Sequence, residues 1–114
     1  MESNQQKPDP KINSLMKNLP EVVRNFNQLH DAVMRDGAVS EKTKELIAVG
    51  ISVAVRCSPC IQRHVPLAVE RGNTVAEVSE AVAVGLMMAG GPAFVYSCEA
   101  MEVLDRVTKR KNEK

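Results

Sequence analysis

Helix-stop residues cut this sequence into short segments, and within each segment the apolar residues recur at three- and four-residue intervals. The cuts fall at Pro20, Gly37, Ser58-Pro59, Gly72 and Gly90-Gly91-Pro92. A period near 3.6 between such punctuation describes amphipathic helices, so the chain is constrained to an all-α fold of about five to six helices. Ile12, Leu15, Met16 and Leu19 outline a short helix that Pro20 interrupts. Val22, Val23, Phe26, Leu29, Ala32 and Val33 outline a second, closed by Gly37. Ser40 is an N-cap for a third that runs to about Val55. Its apolar tract also fits a buried strand, but sixteen residues from Ser40 to Val55 is helix length. Ser58-Pro59 starts a fourth helix with Ser58 as its expected cap, and Pro66 lies inside it. Thr74 with Glu77 reads as a capping box for a fifth, and Pro92 opens the last.

A chain of 114 residues builds one core. The expected organisation is a mobile segment over 1–10, a single helical domain over 11–109 and a charged tail over 110–114. With no Trp, one Tyr and two Phe, that core is aliphatic. The same scarcity removes the stacking platforms of single-strand binding, and a net charge of +1 tracks no phosphate backbone, so nucleic acid is not expected. The polar N-terminus lacks the apolar centre of a secretion signal, and no apolar run approaches the roughly 20 residues of a membrane span. A cytoplasmic protein is expected, with no membrane partner. In that reducing setting three cysteines do not make a structural disulfide framework.

Chemistry concentrates in Cys57-Ser58-Pro59-Cys60-Ile61-Gln62-Arg63-His64. Cysteines three residues apart across a turn have Cα atoms within about 7 Å, close enough to oxidise to each other. With Ser58 as cap, Cys60 lies in the first helical turn, where the helix dipole favours its thiolate. His64 follows one turn on, on the same face, and can take the proton. The turn at Arg56 makes the third and fourth helices an antiparallel hairpin, which brings Glu45 within direct or water-bridged reach of His64. Thiol, base and a carboxylate behind the base form an activated nucleophile.

Glu45, Cys57, Cys60 and His64 resemble in identity and spacing the Glu…CxxCxxxH signature of the alkyl hydroperoxidase D family, within the wider carboxymuconolactone decarboxylase-like superfamily. The pattern His64-x-x-x-Ala68 followed by Gly72 is also similar. The resemblance, over roughly 40–107, implies an all-helical fold around an antiparallel hairpin and homo-oligomers, commonly trimers or hexamers. It also implies thiol-dependent reduction of peroxides or disulfides, with an external lipoamide- or thioredoxin-like reductant and no bound cofactor. Peroxidase members carry a His inside the CxxC where this chain has Pro59; the decarboxylase branch lacks the CxxC altogether.

Two other classes compete. Cys57, Cys60, His64 and Cys98 could ligate zinc, although a second short-spaced ligand pair is missing and no metal is expected. A redox-sensing or oligomeric interaction protein could use the same dithiol without turnover. Elsewhere, Cys98 reads as a core thiol on an apolar helix face, His30 as a surface residue, and Met87-Met88 as core or interface filling.

Overall fold

The computed structural model describes residues 10–112, in which six α-helices and one 3₁₀ turn account for all regular structure. The helices are α1 (Ile12–Asn18), α2 (Pro20–Met34), α3 (Glu41–Ala54), α4 (Ser58–Glu70), α5 (Val75–Ala89) and α6 (Phe94–Asn112), with the 3₁₀ turn at Gly91–Ala93 just before α6. The expected mobile segment falls, apart from Pro10, outside the described residues. The last helix continues to Asn112, into the charged tail.

Local chemistry explains these boundaries. Ser40 accepts the Thr43 amide as the N-cap of α3, and Thr74 and Glu77 close a reciprocal capping box on α5. Helix α3 ends where Arg56 turns left-handed at φ 57°, with the Arg56 amide bonded to Val53 O and the Cys57 amide to Ser52 O. That pair of bonds is the Schellman arrangement. It reverses the chain into α4 with no spare residue, because Cys57 is both the second residue past the Val55 C-cap of α3 and the N-cap of α4. Cys57, not Ser58, therefore caps the helix; the expected start is displaced by one residue. Gly72, at φ 98°, ends α4 the same way, with its amide on Val69 O and that of Asn73 on Ala68 O.

Helix α3 packs on both α4 and α5, and α6 lies across α4 and α5. Val49, Val53, Ile61, Val65, Val78, Val103 and Leu104 fill the space between them. The α3–α5 contact is unusually close: a Cβ added to Gly85 would overlap the carbonyl oxygen of Gly50. At its open end the α3–α4 hairpin is tied by Asn73 Nδ2, which donates to Lys42 O at 2.9 Å, and by an Arg71–Glu41 ion pair at 2.9 Å. The pair to α1, helix α2, touches the rest lightly and leaves its apolar stripe, Val22, Phe26, Leu29 and Val33, exposed. None of the helices described is long and apolar enough to cross a membrane.

Candidate functional site

The site lies between the two arms of the α3–α4 hairpin, under α2. Glu45, on α3, is 1% exposed, and its Oε1 lies 2.8 Å from His64 Nδ1 on α4. The contact is direct rather than water-bridged. A carboxylate on Nδ1 fixes that nitrogen as the donor, which leaves Nε2 with its lone pair as the basic atom.

One turn before His64, Cys57 and Cys60 are joined as a disulfide with Cα atoms 5.2 Å apart. Cys57 Sγ also accepts the backbone amide of Cys60 at 3.3 Å. The cap position thus sets one sulfur directly at the positive end of α4, so the dipole acts on Cys57 as well as on Cys60 in the first turn. Both cysteines are partly exposed, as a redox pair must be to meet a partner.

His30 is not a surface residue. Carried by α2, its ring stacks on that of His64 with centroids 5.8 Å apart and planes at 24°. Both nitrogens are shielded without a hydrogen-bond partner, and the Asp31 carboxylate is 3.8 Å from Nδ1. Burial first, then the charges of Arg63 and His64, push its pKa below the ordinary histidine value; Glu45 and Asp31 act the other way. His30 is therefore neutral near pH 7. Nothing in sequence announced it, since 34 residues and a helix separate it from His64.

Cys98 is exposed, not core. The buried stripe of α6 runs through Ser97, Ala100, Val103 and Leu104, continuing that of Ala93 in the preceding turn, and Cys98 falls one position round from it. Met87 and Met88 are likewise exposed and belong to no core layer. No cluster of three His, Cys, Asp or Glu side chains among the described residues is arranged to hold a metal ion.

Known proteins carry the same architecture. The model of the carboxymuconolactone decarboxylase family matches residues 20–103. Uncharacterized protein 4 of the cox locus of Paracoccus denitrificans is 37% identical over 82 residues, 72% of this chain and 74% of that one. A family protein of Legionella pneumophila, apo-lpg0406, superimposes with a TM-score of 0.78 at 35% identity over 85% of this chain and 87% of its own. Another from Thermotoga maritima, whose description proposes a part in an antioxidative response, gives 0.77 at 28% identity over 81% and 95%.

Proposed function

The chain belongs to the carboxymuconolactone decarboxylase family, and from that premise we propose that it is a thiol-dependent oxidoreductase whose Cys57–Cys60 dithiol reduces a peroxide or a disulfide. The observation that carries this reading is the direct Glu45–His64 pair one turn beyond a vicinal-type cysteine pair at a helix start. The Thermotoga neighbour's antioxidative description points the same way.

In the reduced protein, His64 Nε2 takes the proton of Cys60, with Glu45 holding the ring and balancing the imidazolium that forms. The Cys60 thiolate attacks the terminal oxygen of a hydroperoxide. The O–O bond breaks, an S–O bond forms, and the departing alkoxide takes the proton from His64. Cys57 then displaces water from the sulfenic acid and closes the disulfide. With a disulfide substrate, the same thiolate forms a mixed disulfide that Cys57 resolves.

An external thiol, lipoamide- or thioredoxin-like, reopens the pair by attacking Cys60. Cys57 leaves as a thiolate stabilised by the Cys60 amide, and a better-stabilised leaving thiolate departs faster. The cap geometry thus gives the two cysteines different work. Such a cycle suits a reducing compartment such as the cytoplasm.

The decisive assay supplies the purified protein with tert-butyl hydroperoxide or a small disulfide, and with dihydrolipoamide or thioredoxin as donor. Turnover is expected, and Cys57→Ser or Cys60→Ser should abolish it. Rates no higher than those of a free dithiol on both oxidants would remove the proposal.

A further inference from the structure

On the side of the dithiol away from His64, four side chains run from α6 to the first turn of α4. Ser58, the residue after the cap, donates from Oγ to Glu99 Oε2. Gln62, one turn on, donates from Nε2 to the same oxygen at 2.9 Å. Gln62 Oε1 in turn accepts from Arg106 Nη2 at 3.1 Å. Two donors on one oxygen mark Glu99 as an acceptor, the part an ionised carboxylate plays. The mechanism above uses none of these groups.

We propose that Glu99 is a positioning residue that biases the dithiol–disulfide equilibrium towards the disulfide, making this pair a stronger reductant. It acts through Ser58, which lies between the two cysteines. The carboxylate is held beside the start of α4 by Ser58 Oγ and Gln62 Nε2, close to the positive helix end that would stabilise a thiolate. It also repels that thiolate. Ser58 adjoins Cys57, so the carboxylate it bonds is a near neighbour of the pair, and like charges on the order of 7–10 Å apart at an effective dielectric near 20 to 40 change an equilibrium about tenfold. The disulfide carries no charge to repel, so the penalty falls on the reduced form alone. Arg106, at the other end of the chain of bonds, partly offsets it.

This inference rests on the dithiol being the working group, and equilibration with dithiothreitol tests the two separately. In that exchange the disulfide takes two electrons and two protons from the reductant, which closes its own ring disulfide. Glu99→Gln keeps an acceptor for Ser58 and removes the charge. It should shift the equilibrium about tenfold towards the dithiol, or about 30 mV, and lower the pH at which iodoacetamide labels the more reactive cysteine. Glu99→Asp should stay near wild type. Arg106→Gln, at an exposed position, should move about twofold in the opposite direction, and it serves as the test if Glu99→Gln does not fold. An equilibrium within twofold of wild type for Glu99→Gln, or a shift towards the disulfide, would overturn the inference, as would an unmoved Arg106→Gln. Wild-type cysteines that fail to exchange with dithiothreitol would instead overturn the dithiol reading itself.

Discussion

Glu45 is buried with His64 as its hydrogen-bonding partner, so removing either group has consequences beyond the lost contact. His64→Ala should lower turnover by roughly a hundred- to ten-thousandfold, the range of general-base assistance. Glu45→Gln should cost less, since an amide still holds the ring without balancing its charge. Iodoacetamide labelling of each cysteine against pH would localise the effect: slower Cys60 labelling in His64→Ala is expected, and an unchanged rate would shift the nucleophile's role to the capped Cys57. His30 makes a separate prediction from its lowered pKa. A histidine that titrates lower in the folded than in the unfolded state resists protonation when folded. Its contribution to stability is complete above the unfolded value near 6.5 and is lost as pH falls towards the folded one. The melting temperature should therefore fall between pH 7 and pH 5, and His30→Gln should flatten that slope. A variant with the wild-type slope would show that His30 does not titrate on unfolding. The contrast between these residues explains what could be read in advance. Cys57, Cys60 and His64 lie on one helix and its cap, and Glu45 faces His64 across one hairpin, so short-range periodicity places all four. His30, Glu99 and the exposed Cys98 depend on how α2 and α6 rotate against the hairpin, which no local pattern specifies.

Among the elements, the boundary signals worked because each is a backbone hydrogen-bonding requirement that only certain side chains meet. Ser40, Thr74 and Glu77 satisfy amides that helix geometry orphans, and Gly72 takes a left-handed turn without strain. The start of α4 was displaced by one residue for a reason of the same kind. A left-handed Arg56 ends α3 early enough for Cys57 to take the cap, and sequence gave no glycine to mark that turn. The closest helix crossing carries a sharper prediction. Gly85 meets the backbone of Gly50, with no flexible side chain that could yield to a methyl group. Gly85→Ala should thus force α5 away from α3 and destabilise the fold by about 1–3 kcal/mol, despite alanine's better helix propensity. Chemical denaturation would measure it. A neutral or stabilising change would mean that the helices slide apart at no cost.

For the molecule as a whole, many large apolar side chains are exposed, and they are organised. A groove of about 710 Å³ between α3 and α5 is lined by Leu46, Ile47, Ile51, Val55, Val84 and Met88. Met88 is 73% exposed there, and on α2 Phe26 is 68% exposed within an apolar stripe. Apolar patches of this extent mark contact surfaces. A helix apolar on most sides, as α3 and α5 are, must be covered on most sides. Too few helices exist in the chain to cover them from within, so we propose that copies of the same chain do. A homo-oligomer, trimer or hexamer, is expected in light scattering at micromolar concentration. Ile51→Glu together with Met88→Glu should shift the mass towards the monomer while the far-UV spectrum stays helical, because neither side chain supports the core of its own chain. The dithiol and His64 lie in the opposite groove, between α3 and α4, so Cys57 and Cys60 in the dissociated variant should still exchange with a small disulfide. A wild-type monomer, or a double variant of unchanged mass, would show that this face is covered by something other than a second copy.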